Sequence, residues 1–148
     1  MSEHRATIEW SNDTGEMSYA TYPRDHVWRF EHGVEVPASA APAYRGDAAR
    51  VDPEQAFVAS LASCHMLTFL ALAAKGGHVV ERYMDDPVGH MEKNEEGAMA
   101  VTQVELHPTI AFAPGTEPDA ETLATLHEKA HHHCFIANSV RTRITVAS

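Results

Sequence analysis

The chain has 148 residues, 44% of them hydrophobic, and a formal net charge of −10 with its eleven histidines counted as neutral. That length suits one domain, residues 1–148, with a buried core. The acidic balance argues against nucleic acid and anionic membranes as partners, because both would be repelled.

Met1 to Trp10 carries Glu3, His4, Arg5 and Glu9 and has no apolar run, so it does not read as a secretory signal. The expected compartment is the cytoplasm, where isolated thiols stay reduced. Residues 4–10, 17–22 and 26–31 read as short strands, with Asn12-Asp13-Thr14-Gly15 and His32-Gly33 as turn signals. Val34 to Val51 holds Pro37, Pro42, Gly46 and many alanines and reads as a covering loop.

Asp52-Pro53-Glu54-Gln55 opens a helix. Asp52 suits the N-cap, Pro53 the first helical position, and Gln55 can close a capping box. The helix is expected to run from Ala56 to Lys75 and to stop at Gly76-Gly77. Its body is apolar on every side, as in a helix that is central and buried or one that spans a membrane. Ser60, Ser63, Cys64, His65 and Thr68 at its centre favour the buried reading.

Val79 to Asp85 reads as a strand. Val88 to Lys93 and Met99 to Phe112 alternate around the turn Asn94-Glu95-Glu96-Gly97, a hairpin signal. Asp119 to His133 reads as a second helix with Leu123, Leu126 and Ala130 on one face, and Val140 to Val146 as a final strand. The order implies an α+β fold with mainly antiparallel sheet.

The two cysteines are Cys64, in the middle of the apolar helix, and Cys134, just past the end of the second helix. They are too few for a disulfide scaffold and too far apart for a CxxC motif. A thiol in an apolar helix is inert unless a cation or a hydrogen-bond donor stands near it. Cys134 faces the negative end of a helix dipole, which disfavours thiolate. It is the poorer nucleophile of the two and suits a resolving role.

Asp52-Pro53-Glu54-Gln55-Ala56-Phe57 followed by Ala62-Ser63-Cys64-His65 resembles the signature of the OsmC/Ohr family. In that pattern a Pro-Glu pair opens the central helix and the reactive cysteine follows ten residues after the glutamate. A second cysteine near the end of a later helix, before a last strand, also matches. The chain departs from members with Cys-Pro at the second cysteine, since it has Cys134-Phe135-Ile136-Ala137-Asn138-Ser139. It thereby resembles a separate OsmC-like branch. The resemblance pairs the glutamate with an arginine beside the thiol. Arg24, Arg29, Arg45 and Arg50 are open for that role, and Arg45, nine residues before Glu54, is preferred.

The resemblance implies a peroxidase without a cofactor. Thiolate at Cys64 would attack an organic hydroperoxide and become a sulfenic acid. Cys134 would condense with it to a disulfide, which an external dithiol, of dihydrolipoyl type, would reduce. Phe57, Leu61, Met66 and Phe69 would give the site an apolar wall. The resemblance also implies an intertwined homodimer. Glu54 and Cys64 are separated by about 15 Å of straight helix, more than a glutamate side chain spans, so Glu54 would act from a second copy or through an arginine. Two other readings stand beside this one. One is a non-catalytic member of the same fold. The other is a metal site built from His65, Cys64, Cys134 and His131-His132-His133. Adjacent histidines on a helix diverge by about 100°, so the three-histidine run cannot converge on one ion.

Overall fold

The computed structural model of the chain describes residues 1–147. Its elements are β1 (Ala6–Glu9), β2 (His26–Phe30), β3 (Glu35–Ala38), α1 (Pro53–Lys75), β4 (Val80–Asp85), β5 (Val88–Lys93), β6 (Met99–Leu106), β7 (Pro108–Phe112), α2 (Ala120–His133) and β8 (Arg143–Val146). They gather into two compact units, Met1–Ala56 and the chain from Phe57 onward.

In the first unit β1, β2 and β3 form an antiparallel sheet in that order. Arg29 on the central strand makes ion pairs with Glu9 on one neighbour and Glu35 on the other. The segment expected to be a covering loop therefore contains a strand, β3. Pro37 lies within it, tolerated because an edge strand needs no donor on its outer side. Residues 17–22, expected to be extended, instead form a turn. Thr21 and Tyr22 both donate to the Ser18 carbonyl, and the Arg24 guanidinium donates to the carbonyls of Tyr19 and Tyr22 at 2.6 Å each. These bonds satisfy the backbone locally, leaving little for a ladder.

α1 starts as its sequence predicts. The Asp52 carboxylate accepts from the Gln55 N–H at 2.8 Å, and the Gln55 side-chain oxygen accepts from the Asp52 N–H at 3.1 Å. This reciprocal pair satisfies two donors that a helix start leaves open. The helix ends at Lys75, and Gly77 takes a φ of +79°, the left-handed turn that glycine adopts without a steric cost.

In the second unit β4 pairs with β7 and β5 with β6, both antiparallel, while β8 joins β6 in parallel. The expected strand Met99–Phe112 is two strands. At His107 the backbone N–H donates to the Asp85 carboxylate at 2.7 Å, so the chain leaves one sheet and enters the other. Two apolar clusters hold α1. Leu61 and Ala62 pack with Val104 and Leu106 of β6, joined by Ile136 and Ile144. Phe69 and Ala73 pack with Leu126 and Ala130 of α2, joined by Tyr83, Ile110 and Phe112. Gly89 on β5 allows that strand to approach α1, since a Cβ there would stand 2.5 Å from Val58.

The architecture is α+β, with the sheets of the second unit packed on one long apolar helix. By length and composition α1 could cross a membrane. Its Leu61, Ala62, His65, Phe69 and Ala73 are buried in the fold. Ser60, Ser63, Leu67, Ala71 and Ala74, at helical spacing, form an uncovered stripe.

Candidate active site

Cys64 lies in the middle of α1 and is half-buried, with Thr68 donating its hydroxyl to the Cys64 carbonyl at 2.8 Å. Cys134 is 1% exposed and follows the last residue of α2. Both are free thiols. The fold brings them together, although they are distant in sequence. Burial pushes the Cys134 thiol above its ordinary range, and the neighbouring Cys64 thiol pushes it further. Cys134 is thus held as a protonated thiol, in the direction the helix dipole suggests but mainly because water is excluded.

The residues after Cys134 fix its position. The Ala137 N–H donates to its sulfur at 3.4 Å. Asn138 donates from its side chain to the carbonyls of His132 and Cys134, at 2.9 and 3.1 Å. Ser139 donates to the Phe135 carbonyl at 2.7 Å. The Cys-Phe-Ile-Ala-Asn-Ser stretch therefore caps the carbonyl end of α2 and makes a turn around the second thiol.

Glu54 and Arg45 both belong to the first unit. Glu54 sits in the first turn of α1, and its Oε2 is buried without a hydrogen-bond partner. Arg45 is exposed, has a φ of +67°, and carries its guanidinium 5.6 Å from the Tyr19 ring centre. No ion pair joins Arg45 to Glu54 among the described residues. The other candidate arginines divide clearly. Arg29 is held by Glu9 and Glu35, and Arg50 by Asp25 and Asp47. Arg24 lies over the Tyr22 ring at 3.5 Å, and neither it nor Arg45 pairs with a carboxylate among the described residues. These two remain able to serve a new anion.

A second polar pair, not expected from the sequence, stands near the thiols. His65 is 2% exposed, and its Nε2 lies 3.0 Å from Nδ1 of His127 on α2, the two rings stacked at 5.3 Å. Burial first, then the neighbouring His127 and His131, lowers His65 to about 4, so its ring is neutral at pH 7. Burial lowers His127 too. The usable signal was the spacing His127, Ala130, Cys134, which sets His127 on the same face of α2 as the second thiol. His131, His132 and His133 are exposed. Among the described residues no cluster of three His, Cys, Asp or Glu side chains could hold a metal ion.

Residues 46–148 match the family model for OsmC-like protein. The chain belongs to this family. An OsmC-like protein of unknown function from Vibrio cholerae is 42% identical, with 99% of each chain covered and a TM-score of 0.94. An organic hydroperoxide resistance protein from Elizabethkingia anophelis is 19% identical over 100% of this chain and 97% of that one, with a TM-score of 0.74. Another, an OsmC from Legionella pneumophila, is 18% identical over 100% and 98%, with a TM-score of 0.73. At such identities the last two share the OsmC-like fold with this chain. No curated protein matches the sequence.

Proposed function

We propose that this OsmC-like chain, residues 1–148 acting as one domain, is a cytoplasmic thiol peroxidase for organic hydroperoxides. The observation that carries the proposal is the meeting of two free thiols, one half-buried on α1 and one buried at the end of α2. The fold shared with organic hydroperoxide resistance proteins supports it.

Thiolate at Cys64 attacks the terminal peroxide oxygen and the O–O bond breaks. The alkoxide takes a proton and leaves as an alcohol, and Cys64 becomes a sulfenic acid. Cys134 attacks that sulfur, water leaves, and a Cys64–Cys134 disulfide forms. An external dithiol, of dihydrolipoyl type, returns both thiols to the reduced state and is itself oxidised. Apolar Phe57 and Met66, both partly exposed and near Cys64 in the chain, favour alkyl over hydrogen peroxide, while Leu61 and Phe69 are taken up by the core.

The active assembly is a homodimer. The exposed stripe of α1, with Leu67 61% exposed, offers the apolar face for a second copy. The unpartnered Glu54 oxygen needs a donor, and an arginine fits because its fork binds a carboxylate and its charge favours thiolate. Arg45 is assigned that role, with Arg24 as its competitor.

One titration tests the reading. Reduced protein receives one equivalent of cumene hydroperoxide, and the remaining thiols are counted. Loss of both thiols with an intramolecular disulfide supports the proposal. Two intact thiols would sink it. Sedimentation at low micromolar concentration decides the dimer, and a peroxide-active monomer removes it.

A further inference from the structure

α1 and α2 carry one thiol each, yet among the described residues a single hydrogen bond joins the two helices, between His65 and His127. The rest of the seam is apolar, formed by Phe69, Ala73, Leu126 and Ala130. Phe69 closes the pair from one side, with its ring 4.6 Å from that of His127. His127 and Cys134 are seven residues apart, two turns, so they share a face of α2. His65 is the residue after Cys64. One directional bond therefore sits beside the place where the thiols meet.

We propose that His65 and His127 are a positioning pair for disulfide formation: their bond fixes α2 on α1, and with it the place of Cys134 against Cys64. The inference rests on the two-thiol reading above and adds to it two residues that touch neither peroxide nor reductant.

Protonation decides how the pair holds. In the neutral pair one ring N–H donates to the other ring's bare nitrogen. A first proton keeps that bond but puts a cation on a ring buried against Phe69. A second proton sets two N–H groups head to head and breaks the bond. Among the described residues no anion offsets such a charge. The charges acting on His65 are those of His127 and His131, both of which oppose a proton there. Across the seam on β4 stands Tyr83, whose phenol is raised by burial and by Asp85 and stays neutral. Asp85 itself is raised by burial, and its carboxylate accepts from the His107 backbone. Cys134 is a protonated thiol. Acid should therefore loosen this seam before it alters the sheets.

The test follows disulfide closure in wild type, His127→Asn and His127→Leu, by mass and free-thiol count. Asparagine keeps a polar atom near the Nδ1 position, and leucine removes it. Cumene hydroperoxide drives one arm, with dimedone trapping of the Cys64 sulfenic acid as a separate readout. Diamide, which links two thiols without any peroxide, drives the other. His127→Leu should close about tenfold more slowly in both arms, the size expected from one lost buried hydrogen bond, with sulfenic acid formation unchanged. His127→Asn should restore closure near neutral pH. From about pH 6.5 to about pH 3.5, a range that spans the value of about 4 at which His65 takes its proton, the wild type should slow several-fold more than His127→Asn, a ratio from which the ionisation of the thiols cancels. Closure in His127→Leu at the wild-type rate would overturn the inference. If that variant does not fold, a flat wild-type to His127→Asn ratio across the same pH range overturns it instead. Should peroxide leave the wild-type thiols intact, the peroxidase reading fails, and the diamide arm still decides the positioning pair.

Discussion

In the Met1–Ala56 unit, Arg29 links three strands through carboxylates at the surface, and among the described residues only Ala38, Ser39 and Asp52 are buried. In the unit from Phe57 onward, the sheets lie on α1 through Leu61, Phe69, Val104 and Leu106, all 0 or 1% exposed. The first unit keeps its charges in water, where they stay adaptable and contribute little to stability. The second unit excludes water, and this raises one thiol and keeps two histidines neutral. Groups that must change partners and groups that must hold their place are thus separated along the chain.

The sharpest way to break this contrast is at the thiols. Cys64→Ser should abolish peroxide turnover altogether, measured as alkyl hydroperoxide consumption with a dithiol reductant. Cys134→Ser should still form the Cys64 sulfenic acid and then stall, which dimedone labelling detects. Equal dimedone labelling of the two variants would mean that their different burial has no chemical counterpart.

Next in size is Phe69→Ala. It empties the centre of the α1–α2–β4 cluster and leaves His127 without the ring it packs on. The expected loss is about 3–5 kcal/mol, read from urea unfolding.

Acid comes third. The ordinary histidine value is 6.5, and His65 in the fold is near 4, so between those values the unfolded chain binds more protons. Stability should fall as pH falls through that window. Asp85 acts in the opposite sense, because its raised carboxyl favours the folded state as pH falls. His65→Gln should flatten the histidine part of the slope, and an unchanged slope would exclude His65 as its source.

The smallest effect belongs to the first unit. Arg29→Ala removes two surface ion pairs and should leave the unfolding midpoint unchanged, together with its salt dependence. A clear drop in midpoint would show that charge does hold this unit.

Legibility in the sequence follows the same division. Asp52, Pro53 and Gln55 act within one turn, so the start of α1 could be read directly, as could the β5–β6 hairpin around Asn94 to Gly97. Residues 17–22 alternate like a strand, but Arg24 ties their carbonyls into a turn, a choice made by one side chain that pattern alone does not reveal. β3 was hidden by Pro37, which forbids a central strand and permits an edge one. At the site, the resemblance pointed to Cys64 and Cys134. His65 and His127 are 62 positions apart and meet only through tertiary packing, so periodicity could not pair them.

The parallel pairing of β8 with β6 has a consequence for the order of folding. Gln103 must wait for Arg143, and α2 with Cys134 lies between them. Long-range parallel pairing is slow because its loop must close before its contacts form. The hairpin β5–β6 and helix α1 are local and form early by comparison. A refolding chain should therefore display Cys64 as a lone thiol for a time before its partner is fixed. Alkylation pulses during refolding would record this as protection of Cys134 that lags behind hairpin formation, and simultaneous protection would show that the sheet closes in one step.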